Sequence, residues 1–442
     1  MVKEAKRICR KHERIWRKTG SELDRERFAK SRNRANHVME QARRDYYLKF
    51  IEENSADQRR LFKATSALLG KSSGERYPPY KDFSGLANDF GKFFVQKIDN
   101  IRSKLDNFEL DSPSMPEGEP GYTGSLFTEF RRTSSEKIKE IVLSFPNKSC
   151  ASDPIPTDMV KDCIDDLLPA ISNMVNSSLV DGYFPDIWKE ALVKPKLKKS
   201  NMDLIKKNYR PVSNLAFLSK VTERIAAKQM CGHLSINHLF PEFQSAYRNF
   251  HSTETALLRT RNDILINMNK QHVTLLVFLD LSAAFDTVDH DILLRRLKYK
   301  FGICNNALAW FRSYLVNRSH RVVIENVMSD SFDMKYGVPQ GSCLGPLGPL
   351  LFILYTSKLF DVIHHHLPTV HCFADDTELY LAFNPSSDNA QDAAILAMEN
   401  CLRDIRNWMI TDRLMINDEK TEFMLIGTKA QLAKVKNISL TI

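Results

Sequence analysis

The chain has 442 residues, 43% of them hydrophobic, and a formal net charge of +9, which allows two or three domains around a substantial core. No apolar signal segment opens it and no run approaches the roughly 18–20 apolar residues of a membrane span, so a membrane protein is not expected. Its eight cysteines include no Cys-x-x-Cys pair, which argues against a zinc knuckle or redox dithiol and for reduced thiols in an intracellular protein.

The charge is unevenly placed. Residues 1–71 hold 20 Lys or Arg against 10 Asp or Glu, whereas the remainder holds 43 against 44. A field of that sign suits phosphate backbones, with binding that weakens as salt rises. Ala35, Val38, Ala42, Tyr46 and Phe50 recur at helical steps, with Arg43 and Arg44 off the stripe, so this region reads as a basic helical extension with one packing face. Residues 72–133 carry Ser72-Ser73-Gly74, Tyr77-Pro78-Pro79 and a second Pro/Gly-rich run over 113–121, and read as a flexible linker interrupted by a short helix near 84–105. Ser134-Ser135-Glu136-Lys137 then opens a helix, and Ser252-Thr253-Glu254 opens another carrying Leu257, Leu258, Ile264, Leu265 and Met268.

Residues 273–279 are aliphatic and β-branched enough for a strand buried on both faces, with Asp280 at its carboxyl end. Gly337-Val338-Pro339-Gln340-Gly341-Ser342 is a glycine-punctuated turn. His371-Cys372-Phe373 and residues 379–383 flank Ala374-Asp375-Asp376-Thr377 as the arms of a tight hairpin. Beside the first strand, that hairpin brings three carboxylates together. Such acids repel one another unless cations intervene, and hard oxygen ligands suit Mg²⁺, two ions of which can serve phosphoryl transfer. The run His364-His365-His366 lacks a ligand framework around it and reads as a loop.

Asn208-Tyr209-Arg210-Pro211-Val212-Ser213, Phe243-Gln244-Ser245-Ala246-Tyr247-Arg248, His251-Ser252-Thr253-Glu254-Thr255-Ala256-Leu257 and Asp280-Leu281-Ser282-Ala283-Ala284-Phe285-Asp286 occur in that order. They are followed by the Gly337 turn, Phe373-Ala374-Asp375-Asp376 and Lys420-Thr421-Glu422. From about residue 140 onward the series resembles the reverse transcriptase of non-LTR (LINE-type) retrotransposons of the jockey-like group. The resemblance implies an α+β right-hand polymerase fold, with fingers and palm over residues 134–442. It implies that Asp280, Asp375 and Asp376 bind two Mg²⁺ ions, that Lys420 acts as general acid for pyrophosphate, and that Arg210 reaches the triphosphate. Phe285 falls where such enzymes place a gate against the ribose 2′-hydroxyl, and Gln340 where they touch the incoming nucleotide. The implied partners are an RNA template, a DNA primer or target and deoxynucleoside triphosphates, with action in the nucleus after cytoplasmic synthesis.

Two departures bear on activity. Gly345-Pro346-Leu347-Gly348-Pro349-Leu350 looks like a tandem duplication of one Gly-Pro-Leu, which would either turn the following helix or lengthen the loop before it. The chain also reads as a fragment, with the nicking endonuclease expected elsewhere and the thumb truncated. The alternative to an RNA-directed DNA polymerase is a catalytically silent RNA-binding remnant; a different palm polymerase, such as an intron maturase, fits the motifs less well.

Overall fold

The computed structural model describes residues 2–54, 61, 65, 76–108, 121–147, 150–199, 201–339, 347–366, 369–436 and 439–440. They divide into two compact units, Met1–Arg76 and Tyr77–Ile442.

The first unit is a helical hairpin of α1 (Val2–Thr19) and α2 (Glu22–Glu53). Gly20, at φ +65, makes the reversal, and the Trp16 and Phe28 rings stack across it at 5.4 Å. At 100° per residue, all eight Lys and Arg of α1 fall within an arc of about 140°, while Ala5, Ile8, His12 and Trp16 occupy the other side. The packing stripe expected on α2 holds only in part. Ala35 is buried, but Ala42 is exposed and Tyr46 is 63% exposed. Length explains this: α1 spans about 27 Å and α2 about 48 Å at 1.5 Å per residue, so the far end of α2 outruns its partner.

The second unit mixes helices with two sheets. In the first sheet, β1 (Glu190–Leu197) pairs antiparallel with β2 (Tyr209–Asn214) and parallel with β4 (Arg318–Ile324). The short strands β5 (Val327–Met328) and β6 (Phe332–Met334) both pair with β4. The second sheet has the order β7-β8-β3-β9, with β3 (Val273–Leu279) central between β8 (Asp376–Phe383) and β9 (Glu422–Ile426), and β7 (Thr369–Phe373) outermost. Six of the seven β3 residues are buried, as its unbroken apolar run requires. Helices Phe217–Ile236, Asn305–Leu315, Leu347–Tyr355 and Ala390–Thr411 contribute to the core that includes Trp310, Tyr314 and Phe352.

Of the expected linker, Ser72-Ser73-Gly74 and residues 109–120 lie outside the described residues, and much of the described part is packed structure. Its helix, α3 (Phe83–Asp106), buries Leu86, Ala87, Phe90 and Phe94 against Val193, Tyr209, Val322 and Ile324 of the first sheet. Asp82 caps it, accepting from the Gly85 N–H at 2.7 Å. Further on, the N–H groups of Tyr122 and Phe127 donate to the carbonyls of Tyr299 and Gly302, and Phe130 is buried. Aromatic residues of the described part find core partners, and these hold it.

The two helix starts expected from serine caps are present. Ser134 accepts from the Lys137 N–H, and Ser252 forms a reciprocal capping box with Thr255. The apolar residues of helix Thr253–Asn269 behave otherwise: Leu257 and Leu258 are 61% and 59% exposed, and only Ala256 and Thr260 are buried. One stretch, Leu347–His364, is after all long and apolar enough to cross a membrane, contrary to the expectation from sequence. It comprises two helices, Leu347–Tyr355 and Lys358–His364, and most of it lies inside the core. His364 accordingly ends a helix rather than lying in a loop, and His366 pairs with Asp404 at 2.6 Å.

Candidate active site

Strand pairing decides where the acids stand. β3 and β8 run antiparallel with Leu279 opposite Thr377, so continuing the register by one pair sets Asp280 across from Asp376. β7 and β8 pair up to Phe373↔Asp376, leaving Ala374 and Asp375 as a two-residue tip. Ala374 has φ 60, the left-handed conformation that so short a reversal demands of one of its loop residues. Asp280, Asp375 and Asp376 therefore meet at one end of the second sheet.

The electrostatics follow from that proximity. Burial raises the Asp375 pKa, and the charges of Asp376 and Asp280 raise it further, while Arg210 pulls it down. Asp376 is raised by burial and by Asp280, and lowered by Lys420. Both acids thus bear the cost of a shared negative field. Among the described residues no group of three or more His, Cys, Asp or Glu is gathered at metal-holding distance. Asp280 instead receives protein donors: Lys420 Nζ lies 3.0 Å from its Oδ2, and Asn417 Nδ2 donates to the same oxygen at 2.9 Å.

The other expected residues are distributed as follows. Arg210 is exposed on β2 and acts on Asp375 from there. Phe285 is half-buried and stacked on Phe352 at 4.4 Å, packed at the edge of the core while its backbone carbonyl accepts from the Val338 N–H. Gln340 lies outside the described residues. The turn leading to it is held close, because Gly337, at φ +88, donates to the Val288 carbonyl, and a Cβ there would stand 2.9 Å from the Asp286 backbone. Of the duplicated Gly-Pro-Leu, Gly345 and Pro346 lie outside the described residues, and Leu347-Gly348-Pro349 are the first described residues of helix Leu347–Tyr355.

Three contributors escaped sequence reasoning. Lys198 has its pKa lowered by burial and then by the like charges of Lys97, Lys420 and Arg210, with Asp280 opposing. These four cations thus share the neighbourhood of the acids, and the alternating Lys194, Lys196 and Lys198 at the end of β1 was the available signal. Asn417 was hidden because its partner is 137 residues away. Gln244 stood inside a recognisable motif without an assigned role, yet its carboxamide contacts Ala374 at the hairpin tip.

Comparison with known proteins identifies the family. The family model for reverse transcriptase (RNA-dependent DNA polymerase) matches residues 196–442. A probable RNA-directed DNA polymerase from transposon BS of Drosophila melanogaster is 30% identical over 267 residues, covering 60% of this chain and 28% of that protein. The RNA-directed DNA polymerase from mobile element jockey of the same species is 27% identical over 290 residues, covering 64% and 31%. That from transposon X-element, named as probable, is 28% identical over 305 residues, covering 68% and 30%. The chain thus spans less than a third of the length of these relatives. With the matched family covering more than half of its residues, the chain belongs to the reverse transcriptase (RNA-dependent DNA polymerase) family.

Proposed function

We propose that this chain is the polymerase part of a non-LTR retrotransposon protein, an RNA-directed DNA polymerase that extends a primer 3′-hydroxyl with deoxynucleotides. The observation that carries the reading is the meeting of Asp280 with the Asp375-Asp376 hairpin, beside Lys420 and Arg210. On this reading the sheet β7-β8-β3-β9 is the palm, and the β1–β2 pair belongs to the fingers.

The donor set fits divalent cations. All three side chains offer hard carboxylate oxygens, and Asp375 and Asp376 have pKa values raised in part by like charge, which a cation relieves. Asp280, Asp375 and Asp376 would hold two Mg²⁺ ions, which when bound stabilise the attacking and leaving oxygens of in-line displacement.

The remaining work falls to the chain itself. Arg210 and Lys198 supply positive charge for the triphosphate, and a planar guanidinium can grip two oxygens at once. Lys420, 3.0 Å from Asp280 Oδ2, would protonate departing pyrophosphate. Phe285, fixed by its stack on Phe352, would stand against a ribose 2′-hydroxyl. Gln340, just beyond Pro339, would touch the incoming nucleotide. The basic arc of α1 offers a surface for the RNA backbone, with salt-sensitive binding. The DNA primer would come from a nick made by an endonuclease, with the reaction taking place in the nucleus.

The test is Mg²⁺-dependent deoxynucleotide incorporation on a primed RNA template, with an Asp375→Asn/Asp376→Asn control. Incorporation by the wild type and none by the control supports the reading. RNA binding without incorporation by the wild type overturns it in favour of a silent remnant.

A further inference from the structure

The edge of the second sheet is extended by a short segment that belongs to none of the named strands. Residues 243–245 lie alongside β7, with Cys372 N–H donating to the Phe243 carbonyl at 2.8 Å and Ser245 N–H to the Cys372 carbonyl at 3.0 Å. The bridge between Gln244 and Cys372 is parallel. This pairing aims the Gln244 side chain past the end of β7, at the hairpin tip.

There it meets one residue twice. Gln244 Oε1 accepts from the Ala374 N–H at 2.9 Å, and Gln244 Nε2 donates to the Ala374 carbonyl at 3.1 Å. The same Oε1 accepts a second hydrogen bond from the Ala246 N–H at 3.0 Å, tying the carboxamide to its own backbone. Gln244 is only 1% exposed, so water cannot readily replace these bonds. Ala374 is the left-handed residue of the turn and directly precedes Asp375.

We propose that Gln244 is a positioning residue for the reaction: a carboxamide clamp that fixes the Asp375-Asp376 hairpin relative to Asp280. The proposal rests on reading those acids as the reacting centre. A side chain that takes both polar groups of one residue leaves the tip little freedom to slide or rotate. A carboxamide supplies a donor and an acceptor in one plane without an ionisable group. Gln244 itself touches no reacting atom; it acts through Ala374. Groups that orient metal ligands in this way are worth about 10–100-fold in metal affinity or activity.

The experiment uses the full chain and three variants. Gln244→Met keeps the volume and removes all three bonds. Gln244→Glu keeps the shape and the acceptor but loses the donor to the Ala374 carbonyl. Ser245→Ala removes the neighbouring 3.1 Å contact with His371 Nε2 and leaves the clamp intact. Three quantities are read: amide hydrogen exchange across residues 372–376, the Mg²⁺ concentration giving half-maximal incorporation on a primed RNA template, and the apparent KM for primer–template. For Gln244→Met, faster exchange at the tip is expected, with the Mg²⁺ midpoint raised about tenfold or more and the apparent KM for primer–template unchanged. Gln244→Glu falls between it and wild type, and Ser245→Ala behaves as wild type.

Unchanged tip exchange in Gln244→Met, or a rate loss that follows only the folded fraction with the Mg²⁺ midpoint fixed, overturns the clamp. If Gln244→Met does not fold, the same measurements on a further variant, Gln244→Asn, whose carboxamide falls one methylene short of Ala374, support or overturn the clamp in the same way. A wild-type chain that incorporates nothing, while tip protection still depends on Gln244, overturns the reading of the centre and not the clamp's hold on the hairpin.

Discussion

Asn417 holds Asp280 at two points: its backbone N–H donates to the Asp280 carbonyl, and its carboxamide donates to Asp280 Oδ2, both at 2.9 Å. Strand β3 ends at Leu279, so Asp280 has lost the ladder that positioned its predecessors, and Asn417 replaces it. Asn417→Ala is expected to lower nucleotide incorporation about 10–100-fold while leaving the far-ultraviolet circular dichroism spectrum intact. Steady-state incorporation on a primed RNA template decides it. Activity within twofold of wild type would mean that Lys420 and the strand suffice to place the carboxylate.

Arg102 ties α3 to the segment that follows the first acid. Its Nη1 lies 3.1 Å from Asp289 Oδ2, its Nη2 donates to the Thr287 carbonyl at 2.9 Å, and its Cζ sits 4.0 Å from the Tyr336 ring centre. The side chain is 9% exposed, so removing it strips charge-assisted bonds from a dry site. Arg102→Ala is expected to cost about 1.5–3 kcal/mol in urea unfolding. An unchanged midpoint would show that α3 adds no stability through this anchor.

Both anchors explain why some of the fold was legible in the sequence and some was not. β3 announces itself through local composition, and the hairpin through two apolar arms around a short polar tip, so the acids could be placed without coordinates. The packing of α3 could not, because Phe90 sits among glycines and polar residues and its partner, Tyr209, is far along the chain. Composition pointed to a linker where nonlocal aromatic contacts made a core. Gln244 and Asn417 illustrate the same limit at the site, since each is recognisable only by a partner more than a hundred residues away. Helix Thr253–Asn269 shows a further limit: the sequence marks its apolar residues but carries no information on whether anything covers them.

His320 makes the second unit acid-sensitive. It is 6% exposed, and neither ring nitrogen has a hydrogen-bond partner among the described residues. Burial lowers its pKa from 6.5 to about 4. Between those values the unfolded chain binds the proton and the folded chain does not, so stability falls as pH drops through the window and is fully recovered above 6.5. The whole interval is worth about 3 kcal/mol. His320→Leu is expected to flatten the acid limb of stability between pH 6.5 and 4, measured by urea unfolding at several pH values. An acid limb as steep as that of the wild type would assign the loss to other groups.

Gly348, in the described part of the duplicated segment, packs against the chain leading to Gln340. A Cβ at this position would stand 2.6 Å from the Pro339 carbonyl oxygen, so helix Leu347–Tyr355 touches that backbone. Backbone on one side and a helix terminus on the other leave neither partner a flexible end that can give way. Gly348→Ala is therefore expected to cost about 1–3 kcal/mol as an overpacked contact. Because relief of the clash must move Pro339, the apparent KM for deoxynucleotide is also expected to rise, with primer–template affinity unchanged. Measuring KM and thermal midpoint together separates the two effects. A lower midpoint with unchanged KM would mean that the helix yields and the turn stays, and that this junction has no bearing on how the nucleotide is held.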